Sequence, residues 1–458
     1  MEDTIMTFIL SFRIAGISRR LCIISLLTII AVMTFFTNTS GADINEIIKL
    51  IPEGGSYADY FGSSVAISGD YAIVGAPNDD EGVILNSGCA YIFERGTKGI
   101  WSQKAKLLAP DRAHNDTFGA SVSISGNYAI VGKPFDDHTG NNYGSAYIFR
   151  RTEPIPGNII WSQVAKLVAI TEEGTSDGGP NDYFGTSVAI NGDYAIVGAP
   201  YDDDNGIDSG SAYIFHRVEN TWSRLAKLVA PDPAAGDLFG YSVAISGDDA
   251  AVGAPRRDND SGDDIGSIYF FKRSEDTWST WGEQYAIDSG AGDELGWSVA
   301  IDDHFAIAGA PFYDGGEGLD NSGSALVFEE LDDTGIWSIA PDWLKPSDAA
   351  ASDEFGFAVS ISGDYAVVGS LKYLHGTGTA YVFKKASGDD AWSQFLKLVA
   401  TDAPWGFGSA VSINGRYAIV GARHAESAYI FDIFANSGPP LEPSFSGVMP
   451  GILLLLLD

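Results

Sequence analysis

One phrase recurs seven times along this chain, and that period restricts the fold more than any other feature. The clearest copy opens with Asp182-Tyr183-Phe184-Gly185 and reaches Gly198-Ala199-Pro200. An acidic loop, Ser211-Ala212-Tyr213-Ile214-Phe215, Trp222 and Lys227-Leu228 follow. The Phe-Gly step stands at Phe61, Phe118, Phe184, Phe239, Phe355 and Phe407, with Leu295 replacing Phe in the fifth copy. Successive copies lie 52 to 66 residues apart. Self-similarity at such a period marks a repeat architecture, in which each unit buries its faces against its neighbours.

A single repeat reads as four strands. In the first copy, 64–68 is a short strand, Gly69-Asp70 a turn, and 71–75 a second strand of β-forming residues. Glycine at this turn, as in Asn191-Gly192, Ser246-Gly247 and Asn414-Gly415, permits the positive φ of a tight hairpin. Ala76-Pro77 ends the second strand, because proline cannot donate to a ladder. A third strand covers 90–93 and a fourth runs from Trp101 to Leu108. Four antiparallel strands in ~50 residues make one propeller blade. The expected fold is therefore all-β, a seven-bladed β-propeller. Its seventh repeat lacks the Trp…Lys-Leu strand, whereas Ile47-Ile48-Lys49-Leu50-Ile51-Pro52 supplies one at the other end. The N-terminal strand is expected to complete the last blade and remove two open edges.

The flanks differ from the repeats. Arg13, Arg19 and Arg20 surround the start of a 16-residue apolar run, Leu21 to Phe36, followed by small residues at 40–42. That pattern predicts a signal peptide over 1–42, the run being shorter than the ~20 residues of a spanning helix. The propeller is expected over 43–435. Residues 436–458 form a Pro-rich, apolar-ended tail expected to be disordered. Without residues 1–42 the chain keeps 24 basic and 59 acidic residues, a net charge near −35. Such a surface disfavours nucleic acid and anionic lipid. With Cys22 in the leader, Cys89 has no partner for an internal disulfide.

The Phe61-Gly62 and Gly75-Ala76-Pro77 pair, with its counterparts at 184–200 and 239–255, resembles the FG-GAP repeat of integrin α-subunits and of many exported microbial proteins. The resemblance implies a β-propeller whose ligands meet the rim bearing the loops before the first strand and after the second. The integrin calcium loops do not carry over. They lie in the first hairpin turn, which here is only Ser-Gly-Asp or Asn-Gly-Asp and cannot supply five or more oxygen ligands.

The rim is rich in aspartate. The second-to-third-strand loops carry Asp79, Asp80, Asp136, Asp137, Asp202, Asp203, Asp204, Asp208, Asp258, Asp260, Asp264 and Asp314. The loops 202–208 and 258–264 are the candidates for Ca²⁺, through Asp202, Asp203, Asp204 and Asp208, and through Asp258, Asp260 and Asp264. Aspartate also caps turns through its own backbone. Trp405 stands where six other repeats have Asp, which makes it a candidate ligand anchor. No His-Glu-x-x-His, Gly-x-Ser-x-Gly or phosphate-loop motif occurs. The expectation is a secreted or cell-surface, non-enzymatic binding propeller that recognises protein or polysaccharide. The alternatives are a secreted glycan-active enzyme and a structural surface-layer or matrix component.

Overall fold

The computed structural model describes residues 42–435 apart from 138–140, 171–176, 259–262, 285–289, 332–335, 340–342, 373–375 and 387–390. Residues 1–41 of the expected leader (1–42) and the tail from 436 lie outside the described residues, whereas Ala42 begins a strand. Among the described residues no helix is long and apolar enough to cross a membrane.

Seven antiparallel sheets form the molecule. The first strands of the blades touch one another in an unbroken cycle, from Ser64–Ser68 through Val122–Ser125, Ser187–Asn191, Ser242–Ser246, Ser298–Asp302 and Phe355–Ser362 to Phe407–Asn414, and back to Ser64–Ser68. The first strands are therefore innermost. The second strands, such as Tyr194–Ala199, are buried on both faces, which explains their nearly continuous apolar sequence. Seven apolar clusters fill the spaces between blades, each drawing on two adjacent sheets.

The ring closes as the sequence predicts. Ile48–Leu50 pairs antiparallel with Ser427–Asp432, placing Lys49 opposite Tyr429, and becomes the outer strand of blade seven. A further strand, Ala42–Asn45, had no signal in the repeat. It lies outside Trp392–Val399 and gives blade six a fifth strand. The N-terminal segment thus staples the last two blades together.

The two glycine signatures meet between blades. The second-strand glycine of one blade lies against the carbonyl of the Phe-Gly glycine in the next. A Cβ on Gly75 would sit 2.0 Å from the Gly119 oxygen, and a Cβ on Gly421 would sit 2.1 Å from the Gly62 oxygen, across the closure. Gly185 combines a φ of +98° with a would-be Cβ 2.4 Å from the Ser145 oxygen. No side chain fits these contacts. A serine reinforces them in five blades. Ser64 Oγ donates to the Gly119 carbonyl at 2.9 Å, and Ser121, Ser187, Ser242 and Ser298 repeat the bond.

Candidate functional site

The carboxylates of the rim are mostly engaged. Asp59, Asp116, Asp182, Asp237, Asp293 and Asp353, two positions before the glycine-bearing step, are buried. Each accepts a hydrogen bond from the backbone N–H three residues earlier; Ala234 N donates to Asp237 at 2.8 Å and Ala350 N to Asp353 at 3.0 Å. This is turn capping. Burial raises the pKa of Asp182, and the Asp202, Asp203 and Asp204 charges add to it, bringing it to about 6 despite the bond from Gly179.

A second set of carboxylates pairs with the lysine of the fourth strand. Lys106 donates to Asp79 at 2.8 Å. Lys166 lies 2.7 Å from Asp136 and 2.6 Å from Asp111. Lys227 lies 2.9 Å from Asp202 and 2.5 Å from Asp204. Lys49 meets Asp402 at 2.6 Å. A buried third-strand tyrosine donates to the same cluster, Tyr213 to Asp202 at 2.9 Å and Tyr429 to Asp402 at 2.9 Å. Blade four inverts the charges. Arg257 occupies the aspartate position, Glu283 the lysine position, and they meet at 2.7 Å. In blade two, Lys133 replaces the alanine of the second-strand signature. It is fully buried, 2.7 Å from Asp116 and 3.2 Å from Asp136.

These contacts decide what the calcium candidates do. Asp202 turns inward to Ser211, Tyr213 and Lys227. Asp203 accepts from Asp208 N at 2.8 Å, and Asp204 pairs with Lys227. Asp80, Asp137 and Asp314 do what Asp203 does, accepting from the N–H groups of Asn86, Asn142 and Asn321 at 2.7, 2.7 and 2.8 Å. Asp258 and Asp264 form a backbone bridge, and Asp260 lies outside the described residues. Among the described residues no group of three or more His, Cys, Asp or Glu side chains is placed to hold a metal ion. Two carboxylates of the 202–208 loop, Asp202 and Asp204, meet on the Lys227 ammonium.

The mouth of the ring is built differently. Here the residue before each Phe-Gly, the residue after it, and the first or second residue beyond the second strand come together. The first is left-handed in all seven blades, at Tyr60, Thr117, Tyr183, Leu238, Glu294, Glu354 and Gly406. Rings pass from blade to blade: Phe135 lies 5.0 Å from Tyr183, and Tyr183 lies 5.1 Å from Tyr201. Trp297 meets Tyr241 at 4.9 Å, Phe312 at 5.4 Å and Phe357 at 5.7 Å. Arg423 covers Phe357 at 5.8 Å. His424 joins Trp405 at 5.2 Å to Tyr60 at 5.7 Å. Burial raises the Tyr241 pKa, and neighbouring Tyr201 and Glu294 add to the rise against Arg256 and Arg423. Burial raises the pKa of both Glu294 and Glu354. Trp405 is 61% exposed.

The FG-GAP repeat pattern matches residues 44–93, 101–149, 161–215, 222–271, 278–328 and 343–383, more than half of the chain. The chain belongs to the FG-GAP repeat family. Among curated proteins no match was found. The first five matched FG-GAP stretches cross from the outer strand of one blade to the third strand of another, and the last begins at 343, just past the outer strand Ile336–Ile339. The family unit is thus offset from the structural blade, and the three inner strands of blade seven, 407–432, stand outside the matched stretches.

The offset explains which residues recur. The FG-GAP signature glycines and the leucine of Lys-Leu pack neighbouring blades together, while the aspartates cap turns and the lysine pairs with carboxylates of its own blade. The mouth residues occupy fixed repeat positions with changing identities, and only Trp405 among them stood out in the sequence. Trp297, Tyr241, Arg423 and His424 were missed because each is unremarkable alone. Their signal is their place: they flank Phe-Gly or follow the second strand. Glu426 is another departure. It takes a position held by glycine in other blades, with φ of 50°, and accepts from Tyr60 N and Phe61 N at 3.1 and 2.8 Å across the ring closure.

Proposed function

We propose that this FG-GAP propeller is an exported, non-enzymatic binding module that takes its ligand at the aromatic mouth. The observation that carries this reading is the crown of aromatic side chains from blade two round to blade one, with arginine and glutamate side chains set among them. Binding sites combine apolar and aromatic surface with a small number of placed polar groups, and exposed aromatics act as anchors. The FG-GAP fold supports a binding or adhesion scaffold, and the basic-then-apolar stretch over 13–36 supports export.

The test is attachment of the purified protein to the extracellular matrix and envelope fractions of its own cells. Trp405→Ala with Trp297→Ala should reduce attachment at least tenfold. Trp281→Ala, on the outer strand of blade four and 45% exposed, should leave it unchanged. Equal attachment by all three proteins would refute a ligand site at the mouth. The enzymatic alternative draws support from Glu294 and Glu354, whose burial favours the protonated form needed in a general acid. It requires new reducing ends to appear in a bound polysaccharide, lost in Glu294→Gln or Glu354→Gln.

A further inference from the structure

Charge at the mouth is balanced, unlike charge on the whole chain. Lys and Arg number 27 against 61 Asp and Glu. At the mouth, Arg256 faces Glu294 at 3.9 Å, and Arg423 lies over the Phe357 ring at 5.8 Å. The Arg256–Glu294 separation is long for a hydrogen-bonded ion pair. The Glu294 Oε2 atom is buried and makes no hydrogen bond within the protein. The exposed Arg256 guanidinium and the Glu294 Oε1 that it faces offer a donor and an acceptor to a group that can answer both, as a hydroxyl does. Trp405 rests on His424 and is otherwise open to solvent.

We infer that the mouth binds a neutral polysaccharide, with pyranose faces stacked on Trp405 and Trp297 and ring hydroxyls bridging the Arg256–Glu294 couple. This deepens the proposed binding function and rests on it. The axial C–H groups of a pyranose make one face apolar enough to cover an aromatic ring. Its equatorial hydroxyls both donate and accept. A polyanionic glycan is disfavoured, because the field of a chain at −34 opposes it and Arg256 already faces the Glu294 carboxylate. A charged peptide is disfavoured for the same reason, since its side chains would have to displace an existing partner.

The experiment is affinity electrophoresis and calorimetry of the full chain with laminarin, neutral xylan and mannan, with alginate as the anionic comparison. A panel of immobilised random peptides is run in parallel. The expected result is binding to at least one neutral polysaccharide and much weaker binding to alginate. Trp405→Ala should weaken the neutral interaction tenfold or more, as should Arg256→Ala with Glu294→Gln. Trp281→Ala should leave it intact. Circular dichroism melts confirm folding of each variant. Three results overturn the inference. Alginate binding equal to or tighter than neutral binding refutes the neutral ligand. No neutral binding at 10 mg/ml refutes the glycan class, and Trp405-dependent peptide capture would then keep the mouth as the site. Neutral binding insensitive to both mouth variants moves the site elsewhere and refutes the proposed function as well.

Discussion

Asp182 should make this protein more stable in mild acid than at neutral pH. Its carboxylate is 4% exposed and has its bond from Gly179 N, but burial and three nearby aspartates bring its pKa to about 6. In the unfolded chain it returns to ~3.9. A group whose folded pKa is raised contributes stability that is complete below the unfolded value and lost as pH rises through the folded one. The window runs from about pH 4 to about pH 7. A difference of about two units at ~1.4 kcal/mol each gives a loss of ~3 kcal/mol from this residue. Asp182→Asn keeps an oxygen for Gly179 N and removes the charge. The variant should therefore exceed the native protein in stability by up to ~3 kcal/mol at pH 7.5 and by little at pH 4. Paired thermal melts from pH 4 to pH 8 measure this directly. Comparing the two proteins at each pH cancels the titration of other groups. A gap that stays constant with pH, or that opens on acidification, would refute the buried-charge argument.

Below pH 4 the opposite limb should appear. Burial would raise the pKa of Asp111, but hydrogen bonds from Lys166 and Tyr147 outweigh it and pull it down to about 2; stability from this group is present above ~3.9 and fades as pH falls toward 2, so Lys166→Met should flatten that limb in acid melts. Lys133→Ala installs the residue that other repeats carry, yet it should cost about 3 kcal/mol, because Asp116 and Asp136 lose a buried cation; equal or greater stability in denaturant titration would contradict the pairing. Arg257→Asp should destabilise blade four by setting two carboxylates together, and adding Glu283→Lys should restore most of the loss in a double-mutant cycle. Gly185→Ala should cost ~3 kcal/mol or more through a backbone collision, whereas Gly192→Ala, with open space around it, should cost ~1 kcal/mol. Millimolar Ca²⁺ should leave the melting temperature of chelator-treated protein nearly unchanged, since Lys227 already neutralises Asp202 and Asp204; a rise abolished by Asp202→Ala with Asp204→Ala would show the loop reorganising around the ion.

The sequence by itself determined the repeat, the four strands of each blade and the closure of the ring. Those features are written locally. A strand announces itself by alternation, a hairpin by Asn-Gly or Ser-Gly, and Ile48–Leu50 by its likeness to Lys106-Leu107 and Lys227-Leu228. Every blade repeats the same text, so seven weak signals add to a strong one. Ala42–Asn45 escaped notice because it copies no part of the repeat. Its place outside Trp392–Val399 depends on where the neighbouring segment enters blade seven.

Tertiary structure decided the fate of the charges and the place of the site. The acidic loops look alike as text whether they hold a cation from solution or a lysine from the chain. The choice depends on Lys227 reaching Asp202 from a strand 25 residues away, and on Tyr213 lying beneath both. The mouth depends on distance in space even more. Tyr60 and His424 are 364 residues apart in the chain, yet their rings lie 5.7 Å apart because the ring closes between them. Sequence periodicity reveals the positions that every blade needs. It passes over positions whose identities differ from blade to blade, and closure of the ring gathers those around one axis.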